Sequence, residues 1–191
     1  MRNQTCCFSG HRHILKNEYE AIRKRLESEL VRLINQGVHY FGAGGALGFD
    51  TLAALAVLKL REDFPHIAIP CLTCCLQAEN ANASTRSSAQ QTVYVKRNCH
   101  IKLILVLPCQ DQTRGWIEKD KSIHHLILKQ ADKVVYTSVE YFSGCMHTRN
   151  RHLVNCSSVC VCYLTNFRSG TGYTVAYARR QGLKVINLAQ V

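Results

Sequence analysis

"GAGGALGFDTLAALAVL", residues 42–58, places four glycines in seven positions and then turns into an apolar, helix-forming run. Glycine sacrifices backbone order, so such a cluster fits a place where the chain passes close to another group. A strand, "VHYFGAGG" (38–45), leads into the glycines, and a helix, "FDTLAALAVLKLRED" (49–63), leads out of them. Strand, glycine turn and helix together form the setting of a phosphate loop, because helix N-termini attract anions. Gly44, Gly45 and Gly48 are the candidate phosphate-facing positions. Asp50, in the first helical turn, is placed to cap the helix or to hold a ribose hydroxyl. The spacing is not G-x-G-x-x-G and no Lys follows as in a P-loop. Tight strand–helix packing is therefore the competing explanation of the same glycines.

Outward from this stretch the pattern repeats. "QTCCFSG" (4–10) reads as a buried strand, and residues 17–37 as an amphipathic helix with Ile22, Leu26, Leu30, Leu33 and Ile34 on one face. "KLILVLP" (102–108) is a strand, residues 112–132 are mostly helix, and "KVVYTS" (133–138) is a strand. "CMHTRNRHLVNCS" (145–157) is a helix and "SVCVCYLT" (158–165) a strand. The helix "GYTVAYARRQG" (172–182) and the strand "KVINLA" (184–189) complete the series. Strand–helix alternation of this kind predicts a single α/β domain, a three-layer Rossmann-like sandwich with a mainly parallel sheet. Ligands of such sheets bind at the carboxyl ends of the strands. Gly10–His11–Arg12, the glycine run, Pro108–Cys109–Gln110 and Arg168–Thr171 all fall at such ends.

Several of these ends carry anion-binding chemistry. Gly10, His11 and Arg12 close the first strand, and Arg12 offers a guanidinium for bidentate phosphate contact. Arg149, Asn150 and Arg151 stand early in a helix, where a cation opposes the helix dipole. At least one of them is better explained if it faces an anionic ligand or a carboxylate. Ser169, Gly170 and Thr171 open a second Gly/Thr loop at a strand end, with hydroxyls and backbone N–H groups available.

Bulk properties narrow the class. The chain has 191 residues, enough for one domain with a full core. Apolar residues make up 47% and charged residues 19%, an ordinary globular composition. No apolar run reaches membrane-spanning length, and the N-terminal "MRNQTCCFSGHR" lacks the apolar core of a signal peptide. A cytoplasmic location with no membrane partner is expected. The formal charge of +11 suits nucleotides or nucleic acid, although a basic soluble enzyme would carry it as well. Eleven cysteines, many inside apolar runs, read as small buried hydrophobes rather than a disulfide framework.

One stretch breaks the rhythm. Residues 68–101 are rich in Ala, Ser, Asn, Gln and Cys without clear period, and read as an insertion. It could alter ligand choice, be a tolerated surface loop, or compete with "KLILVLP" for one strand position. Cys71, Cys74 and Cys75, with Cys99 and His100, have zinc-ligand chemistry. No second C-x-x-C accompanies them, so no metal is expected.

The segments "CCFSGHR", "GGALGFDTLAA", "LILVLPCQDQTRGW", "ADKVVYTSVEYFSGCMHTRNRHLV" and "SGTGYTVAYA" together resemble the YpsA-like branch of the SLOG superfamily. The resemblance covers the chain except about residues 68–101. It implies a Rossmann-like bacterial protein with a pocket for a nucleotide or nucleotide-derived ligand, such as ADP-ribose or a nucleoside phosphate, in a sensing or regulatory role. Two relatives imply alternatives. DNA-processing protein A binds single-stranded DNA, and its G-x-D loop is similar to "GGALGFD". Lonely Guy enzymes cleave nucleoside monophosphates through a P-G-G-x-G-T-x-x-E motif. Gly170 and Thr171 match its Gly-Thr, but Thr174 stands where that motif has Glu. A hydroxyl cannot replace that carboxylate near neutral pH, so a hydrolase is disfavoured. Self-association into a homo-oligomer is compatible with the sequence.

Overall fold

A computed structural model describes residues 1–63 and 101–189. Most of the proposed insertion and the candidate zinc ligands Cys71, Cys74, Cys75, Cys99 and His100 lie outside the described residues. Among the described residues no cluster of three or more His, Cys, Asp or Glu side chains is suited to hold a metal.

After a short 3-10 turn, the elements run β1 (Thr5–Gly10), α1 (Lys16–Asn35), β2 (Tyr40–Ala43), α2 (Phe49–Asp63) and β3 (Lys102–Leu107). They continue with α3 (Glu118–Gln130), β4 (Lys133–Tyr136), α4 (Cys145–Asn155), β5 (Val159–Tyr163), α5 (Gly170–Arg180) and β6 (Lys184–Asn187). The six strands form one sheet in the order β4-β3-β2-β1-β5-β6. Every pair is parallel.

Parallel strands with helices on both faces are buried on both faces, so their sequences read as continuous apolar runs. Alternate residues divide between the two layers. Cys6, Phe8, Leu103, Leu105, Val159 and Val161 pack beneath α1, α2 and α3, with Leu26, Leu30, Val57 and Ile127. Cys7, Val106, Cys160 and Cys162 face the opposite way, toward Leu153 and Val154 of α4 and Val175 and Ala178 of α5. The seven described cysteines are free thiols, and all but Cys156 are buried. Burial pushes the Cys162 thiol up to about 12.

The expected elements are present with shifts at their ends. The helix expected over 112–132 begins at Glu118, because residues 111–116 form turns with Gly115 at a φ of +82°. The last helix begins at Gly170, two residues earlier than expected. Ser169 caps it by accepting a hydrogen bond from the Gly172 amide at 3.1 Å.

Strand order sets where the loops at the carboxyl edge of the sheet part. β2 leaves β1 on one side of the sheet and β5 lies on the other, so the loops after β1 and β5 diverge and open a crevice. Asp63 and Ile101, which flank the undescribed segment, lie at the opposite, amino end of the strands.

Candidate functional site

A cleft of about 250 Å³ opens at that crevice. Gly10 from the end of β1, His11 and Arg12 from the β1–α1 loop, Asp50 from α2, Arg149 and Asn150 from α4, and Ser169, Gly170 and Thr171 from the start of α5 line it. Four segments distant in sequence therefore converge on one place.

At its base Arg149 Nη1 donates to Asp50 Oδ2 at 3.2 Å. Both residues are only 5% exposed. The Ala46 amide also points at Asp50 Oδ2, at 3.4 Å. Burial pushes the Asp50 carboxyl above its usual range and the Arg149 guanidinium below its own, and their mutual attraction opposes both shifts. The charge of Arg12 further disfavours protonated Arg149. Two guanidinium groups and one carboxylate thus line the cleft, and the excess is positive. Among the described residues, the buried Arg149 Nε has no hydrogen-bond partner.

The opposite wall is the start of α5. The Ser169 cap occupies the Gly172 amide, and the Ser169 carbonyl accepts from the Tyr173 amide at 2.9 Å. The amides of Gly170 and Thr171 come earlier, where helix geometry provides no intrahelical acceptor. Their partial positive charge adds to that of the guanidinium groups. Asn150 Nδ2 donates to Thr174 Oγ1 at 2.8 Å, and Thr174 Oγ1 donates to the Gly170 carbonyl at 2.9 Å. These bonds fasten α4 to the first turn of α5.

His11 has a positioning task inside this cleft. Its Nε2 accepts from the Thr165 and Asn166 amides at 3.0 and 3.2 Å, tying the β5–α5 loop to the end of β1. An acceptor Nε2 requires the neutral ring, and burial lowers the His11 pKa accordingly.

The three glycines expected at the phosphate occupy a different role. Gly44, Gly45 and Gly48 are not among the residues that line the cleft. A Cβ on Gly44 would lie 1.2 Å from Arg149 Nη1, so its bare Cα makes room for the guanidinium. Gly48, at a φ of +76°, lies where a Cβ would come within 2.1 Å of the Arg12 carbonyl oxygen. The Phe49 amide beside it donates to the His11 carbonyl at 3.1 Å. The close approach expected of the glycine run is thus an approach to the protein's own Arg149 and Arg12 backbone. Asp50, expected to cap the helix or to hold a ribose hydroxyl, lines the cleft and is paired with Arg149. Phe8, Ser9, Ala46 and Met146 also line the cleft without any local signal in the sequence. Arg151 lies outside it, over the rings of Tyr173 and Tyr177 at 5.8 Å each.

Comparison with known proteins gives the setting. Residues 10–96 match the profile of the YspA SLOG family. A UPF0398 protein of Halalkalibacterium halodurans is 39% identical over 59 residues, 31% of each chain. The chain therefore spans under a third of that relative's length in this match. A UPF0398 protein of Bacillus thuringiensis is 22% identical over 179 residues, 88% of this chain and 77% of the relative. Among solved structures, DNA processing protein A from Helicobacter pylori, described for its single-stranded DNA binding mode, superposes with a TM-score of 0.57. It shares 15% identity and covers all of this chain, which spans 67% of that structure. DNA processing protein A from Streptococcus pneumoniae gives a TM-score of 0.59 at 15% identity over 97% of this chain and 50% of its own. At that identity the likeness is one of fold.

Proposed function

We propose that this chain, a YpsA-like member of the SLOG family, binds the phosphate of a nucleotide-derived ligand in the cleft between β1 and β5 and acts as a cytoplasmic sensor or regulator. The observation that carries this reading is the excess of guanidinium over carboxylate in the lining of the cleft, beside the amides that open α5. Arg12 and Arg149 neutralise the phosphate, and the Gly170 and Thr171 amides hydrogen-bond its oxygens. Asp50 keeps Arg149 in place rather than contacting the ligand. No carboxylate stands at Thr174, whose hydroxyl is engaged with Gly170 and Asn150, so the reading is of binding rather than glycosidic cleavage. The free thiols among the described cysteines fit a reducing cytoplasm.

A second reading, single-stranded DNA binding, draws on one feature. A shallow groove lined by His147, Phe167, Arg168 and Tyr173 adjoins the cleft through Ser169 and Gly170. Phe167 is 65% exposed there. Exposed rings interleaved with cations can stack bases while the cleft takes a phosphate.

Thermal shift of the purified chain with AMP, ADP-ribose and a short oligothymidylate, each at two salt concentrations, separates the readings. A ligand at about a hundred times its Kd stabilises the fold by roughly 2.7 kcal/mol. A shift with AMP or ADP-ribose that survives added salt supports the small-ligand reading. A shift with the oligonucleotide alone, lost at higher salt through counterion release, replaces it.

A further inference from the structure

Charge is distributed unevenly between the two helical layers. From Tyr141 to Val191, the stretch that carries α4, β5, α5 and β6, the chain has six Lys or Arg and no Asp or Glu. Six of the seven described ion pairs are made by side chains of α1, α2 and α3 and by Asp132. The seventh, between Arg149 and Asp50, is buried beneath the cleft. Among the described residues, exposed Arg151, Arg168, Arg179, Arg180 and Lys184 therefore have no carboxylate partner. The outer surface of α4 and α5 is a field of uncompensated positive charge.

Arg151 is nonetheless fixed. Its Nε donates to the Tyr173 hydroxyl at 3.2 Å, Nη2 donates to the same oxygen, and the guanidinium lies 5.8 Å from the centres of the Tyr173 and Tyr177 rings. His147 packs edge-on against Tyr173, with centroids 4.8 Å apart, and the Tyr177 hydroxyl donates to Asn155 Oδ1 at 2.9 Å. Two rings and a hydroxyl orient the cation without neutralising it, so less side-chain freedom is lost when an anion binds. α5 runs 11 residues, roughly 16 Å, from Gly170 at the carboxyl edge of the sheet to Arg179 and Arg180 at its far end. Cations spread over that length suit a chain of anions rather than a single one. Exposed Phe167 precedes α5 on a braced loop. The Arg168 amide donates to Asn166 Oδ1 at 2.9 Å, and a Cβ on Gly172 would lie 2.1 Å from the Phe167 carbonyl oxygen.

We propose that the outer face of α4 and α5 docks a single-stranded nucleic acid, with Arg151, Arg168, Arg179 and Arg180 on its phosphates and Phe167 stacked on a base. Guanidinium forks match phosphate oxygens, and a regular polyanion meets every cation of an acid-free face. An exposed ring takes a base only from a strand whose bases are unpaired, which favours a single strand over a duplex. Arg151 lies outside the cleft, and Arg179 and Arg180 do not line it. Strand and small ligand therefore use different cations and can be bound together. The proposal rests on neither reading of the cleft, because it leaves Arg12 and Arg149 unoccupied by the strand.

Fluorescence anisotropy of a labelled oligothymidylate of about 12 nucleotides, titrated with the full chain, tests the surface. Four phosphate contacts give a salt slope of about −3, so affinity falls roughly fiftyfold from about 50 to 200 mM salt. Arg151→Gln weakens binding and reduces the slope by about one. Arg179→Gln, which touches neither tyrosine ring, does the same, and both variants keep the melting temperature of the unaltered protein. Phe167→Ala weakens the single strand about tenfold and leaves a duplex of the same length unaffected. Saturating ribose 5-phosphate leaves the oligonucleotide bound; its displacement would place the strand in the cleft and overturn the assignment. Duplex bound as tightly as the single strand, equal competition by polyglutamate, or no effect of Arg151→Gln and Arg179→Gln also overturns it. Oligonucleotide binding by a protein that ribose 5-phosphate does not stabilise supports this surface while the phosphate reading of the cleft fails.

Discussion

Arg149 Nη1 lies 3.2 Å from Asp50 Oδ2, joining α4 to α2 beneath a cleft whose remaining charge is positive. The Arg149 guanidinium also occupies the space left by the missing side chain of Gly44. Pair, glycine and cleft are therefore one arrangement, and altering any member should disturb the others.

Removing one partner of a buried ion pair strands the other, at a cost of about 3–5 kcal/mol. Asp50→Asn should approach that cost and leave two guanidinium groups unopposed. Its anion affinity should then rise, so ribose 5-phosphate should raise its melting temperature more than that of the unaltered protein. Arg149→Met should lower stability and abolish the anion-induced shift. An Asp50→Asn protein with weakened anion binding would mean that holding Arg149 in place matters more than the negative charge the carboxylate brings to the cleft.

The glycines should separate by what surrounds them. Gly37→Ala meets only the left-handed backbone, at a φ of +90° with open space around it, and should cost about 1–2 kcal/mol. Gly48→Ala adds a collision with the Arg12 backbone and should cost more than that. Gly44→Ala, at an ordinary φ, should act through displacement of Arg149, with anion binding and stability falling together. Chemical denaturation beside calorimetric anion titration measures both quantities. If Gly44→Ala lost binding at full stability, the glycine would be approaching the ligand after all.

His11 contributes a pH dependence whose sign follows from its lowered pKa. The unfolded chain binds the proton more readily than the folded one, so this contribution is complete above the ordinary value of 6.5 and declines as pH falls through and below it. The melting temperature should drop between about pH 7 and pH 5, partly through protonation of His11. An NMR titration should place His11 below 6.5. A higher midpoint would contradict its acceptor role toward Thr165 and Asn166.

Ser169→Ala removes the hydroxyl that caps α5 and should cost about 1 kcal/mol. The same hydroxyl donates to the Asn166 carbonyl at 2.6 Å, so the variant should also loosen the cleft wall. Faster amide exchange at Gly172, without change in β1, would show it.

Cys156 is the exposed thiol among the seven described cysteines. Cys156→Ser should remove one equivalent of fast-reacting thiol from the native protein, read by a chromogenic disulfide. An unchanged count would place Cys156 in a protected environment.

Much of this is legible in the sequence. Ile22, Leu26, Leu30, Leu33 and Ile34 recur at helical spacing and are the buried residues of α1. The apolar runs over β1, β3 and β5 follow from burial on both faces of a parallel sheet. Arg12, Arg149 and Ser169–Thr171 could be singled out because a cation or a Gly/Thr turn at a strand end has local chemical meaning. Their convergence on one cleft accords with strand ends gathering on one edge of the sheet.

Other relationships have no local signature. The glycine run announces close approach, yet sequence alone cannot say whether a ligand or an arginine about a hundred residues later fills the space. Asp50 reads as a cap or a ribose contact until α4 brings Arg149 against it. Gln112 and His124 are ordinary residues of a loop and a helix, and only the tertiary packing brings both against Gly45. Periodicity and turn chemistry act over a few residues, so the sequence by itself determined the elements, their buried faces and the strand ends that carry charge. Ion pairing and the alignment of buried polar atoms depend on which distant segments meet, and only the tertiary structure decided them.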